Sequence, residues 1–390
     1  MNTIQRLLMR LPSIQRRWPL LACLLLATAC HKLIFINNHH LRSFQQVNLV
    51  ANKSSYGAGL TDSTLQNAWG LAWSPSGIAW VNSQAGHVSE LYTADGAIVR
   101  PPVAIPSPGD TIGGNPTGIV FNSTKGFRIA NGKPAAFIFV GLDGVLSAWN
   151  GGSGNNAQKI GHDSTSVFTG LAIDSNAAGQ TFIYAADILS GKIVVWDTAW
   201  KPVAMTFTDG SLPMGYAPYN IQSVGGWLYV TYAKVKAGGF PVFGVGLGIV
   251  DIFKGDGSFV KRFATGGDLN APWGITMTPA NFLASADMGN DEGDDEGHNN
   301  QGDDNDQGNG NLNEPVILVG NLGDGRINVF LQNGTFKGQL QSNKKTIVID
   351  GLWALGFPPT TDTAVNHMRL YFTAGPVNQA DGLFGYLLKQ

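Results

Sequence analysis

One strand-opening pattern recurs six times between Trp69 and Leu387, and that recurrence limits the chain to folds made by repeating one unit. The pattern is a small residue leading into an apolar strand. Its instances are Trp69-Gly70-Leu71-Ala72, Thr117-Gly118-Ile119-Val120, Thr169-Gly170-Leu171-Ala172, Tyr219-Asn220-Ile221, Trp273-Gly274-Ile275 and Asp350-Gly351-Leu352-Trp353. The interval is about fifty residues, close to a propeller-blade period, and it lengthens only between the fifth and sixth instances, where an insertion intervenes.

Each unit continues in the same order. A second apolar strand follows, at Ile78–Val81, Phe137–Val140, Phe182–Ala185, Leu228–Tyr232, Val316–Val319 and Leu370–Thr373. After a polar or glycine turn comes a third, at Val88–Tyr92, Val145–Trp149, Ile193–Trp196, Ile249–Phe253, Ile327–Phe330 and Leu383–Leu387. A more polar fourth strand is visible at Ser258–Phe263 and Thr335–Leu340. Short β-branched and aromatic runs separated by Gly, Asn and Asp are strands, and no stretch after residue 41 has a helical period. Two stacked sandwiches would match the strand content but not the repeated order of features. The expected fold is therefore all-β: a six-bladed β-propeller with four-stranded antiparallel blades covering one another radially. The sixth unit stops after its third strand, so Phe44–Val50 is expected to supply the fourth and close the ring.

Composition agrees. Charged residues are 13% of the chain, about half the usual quarter, and there are 51 glycines, which suits tight turns and not the Lys- and Glu-covered faces of a helical bundle. The net charge of −2 predicts no general attraction to nucleic acid or anionic lipid. The only cysteines are Cys23 and Cys30, which leaves the repeat region without disulfides or thiolate metal sites.

The start of the chain reads as an address. Arg6, Arg10, Arg16 and Arg17 precede an apolar run from Pro19 to Ala29 that is short for a permanent membrane span. A basic lead, a short apolar core and small residues at Ala27 and Ala29 describe a signal peptide over residues 1–29. Small residues directly before Cys30 resemble a bacterial lipobox, which would lipidate Cys30; plain A-x-A cleavage is the alternative. The expected organisation is signal peptide 1–29, linker 30–43 and propeller 44–390 with an acidic insertion at 287–314, on a monomer exported and lipid-anchored to the cell envelope or else secreted.

Ala271-Pro272-Trp273-Gly274-Ile275 and Gly325-Arg326-Ile327-Asn328-Val329-Phe330 resemble the NHL-type propeller repeat. With Asn67-Ala68-Trp69-Gly70-Leu71-Ala72, Ile349-Asp350-Gly351-Leu352-Trp353 and Ala380-Asp381-Gly382-Leu383-Phe384, residues 44–387 are similar to a family of exported bacterial propellers known as conserved hypothetical proteins. The resemblance implies the fold and no established activity. Propellers of the lactone-hydrolase kind hold a metal on Glu, Asn and Asp at the channel. The glutamates here are Glu90, Glu292, Glu296 and Glu314, and none opens an inner strand.

In a propeller, the loops before the first strand and between the second and third strands share the face that usually carries ligands. Candidates in the first set are Asn67, Asn115, Tyr219, Asn220, Asn270 and Asp350; in the second they are Asn82, Asp143, Asp187, Lys234, Asn321 and Asp324. Converging carboxylates and carboxamides suit Ca²⁺ or Mg²⁺, although Asn and Asp at turns commonly bond their own backbone. Trp69, Trp273 and Trp353 could stack on rings or sugars at the mouth, or pack between blades. Within the insertion, Asp303, Asn305, Gln307, Asn309 and Glu314 fall on calcium-loop positions, the alternative being a solvated Asp/Asn/Gly tract. No G-x-S-x-G or H-E-x-x-H occurs, so no catalytic residue is assigned. The leading reading is a non-enzymatic propeller that binds a small molecule, glycan or protein; the alternatives are a lactonase-like metal hydrolase and a structural envelope or matrix protein.

Overall fold

Runs such as Phe137–Gly141 and Trp227–Lys234 are β-branched or aromatic on both faces, so as strands they need cover on each side. The computed structural model, which describes residues 39–284, 314–361 and 364–390, gives them that cover. Apart from a small hairpin of Gln341–Ser342 and Lys345–Thr346, the described strands form six mainly antiparallel blades, each with its first strand innermost. Blade 1 begins at Ala68–Trp73, blade 2 at Pro116–Phe121, blade 3 at Phe168–Ser175, blade 4 at Tyr216–Val224, blade 5 at Pro272–Met277 and blade 6 at Leu352–Gly356. These inner strands touch in cyclic order, with blade 6 meeting blade 1, so the ring is closed. Apolar clusters fill the blade interfaces, and between blades 1 and 2 Trp80 lies on Phe137 with ring centroids 4.0 Å apart.

Closure uses both chain ends, as the sequence predicted. Phe44–Ala51 runs antiparallel to Leu383–Lys389, from Phe44 opposite Lys389 to Ala51 opposite Leu383. Leu60–Thr61 then adds a short parallel strand, which makes the closing sheet five-stranded. The Lys389 ammonium fastens the seam by donating to the carbonyls of His40 and Arg42 at 2.7 and 3.1 Å.

The repeated small residue has a steric cause. Every inner strand carries a register irregularity near its start, so a short segment bulges toward the axis. The residues there are Trp69-Gly70, Thr117-Gly118, Thr169-Gly170, Tyr219-Asn220, Trp273-Gly274 and Trp353-Ala354. This shifts the sixth instance: Trp353-Ala354, not Gly351, matches the others, and Gly351 serves a turn with φ +68°. At the bulge the next blade passes very close. A Cβ on Gly70 would lie 2.2 Å from the Thr117 carbonyl oxygen, and one on Gly274 would lie 2.5 Å from that of Trp353.

The insertion leaves from the end of blade 5 where Met277 pairs with Ile317, opposite the end where Pro272 pairs with Asn321. Asp303, Asn305, Gln307 and Asn309 lie outside the described residues, as do Cys30 and the signal segment.

Candidate functional site

The bulges aim one side chain per blade at the axis, and four of the six are large aromatics. Trp69 and Trp353 stack with centroids 3.5 Å apart and planes 17° from parallel. Trp273 meets both edge-on at 6.4 and 5.7 Å, and Tyr219 meets Trp353 at 6.0 Å. The Trp273 indole N–H donates to the Thr169 carbonyl at 2.9 Å, a bond from blade 5 to blade 3 that crosses the ring. All four rings are buried. The axis is thus filled by a dry aromatic plug, which joins an apolar cluster with Ile188, Ala217 and Leu322.

The polar candidates are engaged in latches. At the end of the second strand, Asp187 Oδ1 accepts the Val167 amide at 3.0 Å and those of Leu189 and Ser190 at 3.1 and 3.3 Å. Asn321 Oδ1 accepts the Asn270 amide at 3.1 Å, and Asn321 Nδ2 donates to the Asp268 carbonyl and to Asp324. In blade 2 the same service comes from Asp143, whose Oδ2 accepts the Asn115 amide at 3.0 Å. Asp350 accepts the Val377 amide at 2.8 Å, and Asn270 Oδ1 that of Gly244 at 2.7 Å. Asn82 and Asn220 tie neighbouring blades, donating to the carbonyls of Thr117 and Trp273 at 3.0 and 2.8 Å. Lys234 ends its strand with an exposed side chain. Asp187 Oδ2 and the Oδ1 atoms of Asn82 and Asn220 stay buried without a partner, and among the described residues no group of three or more His, Cys, Asp or Glu is placed to hold a metal.

Asn67 is the exception that links latch to plug. It is buried in a left-handed conformation, φ +48°. Its Oδ1 accepts the Trp353 indole N–H at 2.9 Å, and its Nδ2 donates to Gln84 at 2.8 Å; Gln84 in turn donates to Asn115 at 3.0 Å. This carboxamide relay holds Trp353 by its indole N–H.

Above the plug, on the face expected to carry ligands, lies a cavity of about 330 Å³. Trp69, Trp353 and Tyr219 form its floor, and Leu142, Val167, Ile188 and the Gly238–Pro241 stretch its walls, with Gln379 at the side. No charged side chain lines it. The buried Trp69 indole N–H has no acceptor among the described residues, and burial pushes the Tyr219 phenol far above its ordinary pKa, so that hydroxyl keeps its proton. Exposed Phe240, Leu189 and Val377 extend the apolar surface around the mouth. Trp69 and Tyr219 stood out in the sequence through the repeat. Leu142, Phe240 and Gln379 did not, because they sit in loops of unlike length that the repeat does not align.

Away from the axis lies a titratable cluster in blade 1. Glu90, buried in the third strand of blade 1, lies within hydrogen-bond reach of the Thr64 hydroxyl, which is also 2.6 Å from Asp62 Oδ1. A hydroxyl has one proton to give to two carboxylates, so the second bond requires a protonated Glu90. Burial, with the nearby Asp62 charge, pushes Glu90 up to about 7 against the lowering effect of the Thr64 bond.

No protein-family model matches the chain. Two mimivirus proteins of Acanthamoeba polyphaga mimivirus do match it in sequence. Uncharacterized protein R648 is 31% identical over 360 residues, covering 87% of this chain and 79% of its own. Uncharacterized protein L690 is 31% identical over 293 residues, covering 70% and 67%. These relatives are viral, where the resemblance had implied a bacterial family. Among solved structures, a virginiamycin B lyase from Staphylococcus aureus is similar at 10% identity with a TM-score of 0.45, over 88% of this chain and 98% of that one. A streptogramin B lyase is similar at 10% identity with a TM-score of 0.44, over 89% and 97%. Nothing about activity passes from either lyase to this chain.

Proposed function

We propose, for a chain that belongs to the same family as the mimivirus protein R648, that it is a binding propeller and that its ligand sits in the axial cup. The observation that carries this reading is a cavity of about 330 Å³ on the face expected to carry ligands, walled by apolar side chains and lined by no charged one. Cavities of this kind, with few and well-placed polar groups, are the usual form of small-molecule sites, whose volumes run from about 300 to 1,000 Å³. A metal-dependent hydrolase fits less well, because both Asp143 oxygens, Asp187 Oδ1 and Asn321 Oδ1 already accept backbone amides.

Ligand-observed NMR with a library of small neutral fragments tests the reading. Fragments are expected to bind the native protein and to be lost on Leu142→Trp, which fills the cup from a partly exposed loop position at the edge of the axial cluster, with the unchanged denaturation midpoint of the variant checking that the fold is kept. Fragment binding that survives Leu142→Trp, or a screen without a single binder, would overturn it.

The same proposal places the propeller outside the cytoplasm, exported by the 1–29 segment and anchored through Cys30. Mass spectrometry of the mature N-terminus should read a diacylglyceryl adduct on Cys30; an unmodified residue there would contradict the anchor.

A further inference from the structure

Gln379 reaches the cup from an unusual piece of backbone. Val377, Asn378 and Gln379 are consecutive non-glycine residues with φ of 55°, 53° and 69°, all left-handed. Such a conformation is unfavourable for L-residues, most of all for a β-branched residue like Val377. The turn is held by surrounding bonds: the Val377 amide donates to Asp350 at 2.8 Å, the Gln379 amide to the Gly375 carbonyl at 3.0 Å, and the Asp381 amide to the Pro376 carbonyl at 3.1 Å. Strain held in place beside a cavity is commonly a device for positioning a side chain. The side chain positioned here is the Gln379 carboxamide. Its Oε1 faces the Asn67 amide at 3.4 Å, whereas its Nε2 donates to no group of the protein among the described residues.

The cup therefore combines apolar walls, an aromatic floor and, at its side, a carboxamide donor with no partner in the protein among the described residues, Gln379 Nε2. A charged ligand would lose its hydration with no counter-charge to replace it, and a sugar would leave most of its hydroxyls unpaired against Leu142, Val167, Ile188 and Pro241. Resting on the cup being the ligand site, we infer that the ligand is an uncharged one- or two-ring aromatic molecule bearing an acceptor oxygen such as a carbonyl, and that Gln379 is the residue that reads that oxygen. The ring lies over the aromatic floor, and the oxygen accepts from the Gln379 amide at the side.

Isothermal titration with a matched set separates this class from others: 2-acetylnaphthalene, naphthalene, 2-naphthoate at pH 8, and cellobiose. The ketone is expected to bind about tenfold more tightly than naphthalene, which is what one hydrogen bond of about 1.4 kcal/mol gives. Naphthoate is expected to bind more weakly than naphthalene, and cellobiose not at all. Gln379→Asn keeps a residue type that tolerates the left-handed turn but withdraws the carboxamide by one methylene. It should bring the ketone to within about twofold of naphthalene while leaving naphthalene unchanged. Naphthoate or cellobiose binding as well as the ketone, equal affinity of ketone and naphthalene, or a Gln379→Asn loss shared by both aryl probes would overturn the inference while the cup remained a site. No binding by any probe, together with fragment binding that ignores Leu142→Trp, would instead remove the cup as the site.

Discussion

Gly118→Ala is expected to lower the stability of the propeller by about 3 kcal/mol, the upper end of what overpacking a close contact costs. A Cβ at that position would lie 2.5 Å from the Leu171 amide nitrogen, 2.7 Å from the Gly170 carbonyl carbon and 2.7 Å from Leu171 Cβ. Two of these atoms are backbone of the next blade's inner strand, so no rotamer change makes room, and blades 2 and 3 would have to part along an interface that also contains the Thr117 hydroxyl bonded to the Phe168 carbonyl at 2.7 Å. Gly109→Ala is the control, since a Cβ there meets nothing within 4 Å and its φ is not left-handed. Chemical denaturation of the two variants reads the difference. If Gly118→Ala unfolds at the same denaturant concentration as Gly109→Ala, the close inter-blade approach is not what the repeated glycine is for.

The second large effect is a pH dependence set by Glu90. Its pKa is about 7 in the folded protein against an ordinary 4.5, so between those values the folded state binds more protons than the unfolded state. Stability contributed by this group is full below about pH 4.5, falls as pH rises toward 7 and is lost above it. Glu90→Gln presents an amide donor to the Thr64 oxygen in place of the carboxyl proton and cannot ionise. The native protein should therefore lose on the order of 2–3 kcal/mol relative to Glu90→Gln between pH 5 and pH 8, each pKa unit of difference being about 1.4 kcal/mol. Denaturation series at the two pH values measure it. Parallel curves for the two proteins would show that Glu90 is not protonated in the folded state.

The ring, its six blades and its closure were legible because they depend on features a sequence displays directly. At four of the six bulges the next blade crosses close enough to require glycine, so Gly70, Gly118, Gly170 and Gly274 mark the inner strands, while blade 4 carries Asn220 there. Blade 6 escaped exact alignment because its crossing tolerates Ala354, and the neighbouring turn glycine, Gly351, took its place in the pattern. Closure was legible because the sixth unit lacked a strand and Phe44–Val50 had the composition of one.

The site was less legible, for a physical reason. Asp187, Asn321 and Asp143 look like ligand residues because each follows an inward strand on the right face, but the amide that opens a bulged inner strand has lost its ladder partner and takes these oxygens instead. The cup is built from what no short motif records: side chains from the loops at Leu142, Ile188, Phe240 and Gln379, which are far apart in the chain and unlike one another. The aromatic floor was visible only as a set of tryptophans whose packing and binding readings could not be separated until their geometry was known. Trp353 does both, stacked on Trp69 with one face and lining the cup.

The measurement that bears most directly on the axial cup is a crystal structure of the protein soaked in 2-acetylnaphthalene. The expected result is the ring over Trp69, Tyr219 and Trp353, walled by Phe240 and Val167, with the latch residues Asp187 and Asn321 unmoved. A cup that stays empty at saturating probe, or a ligand seated instead among the polar turns around Asp187 and Asn321, would contradict it.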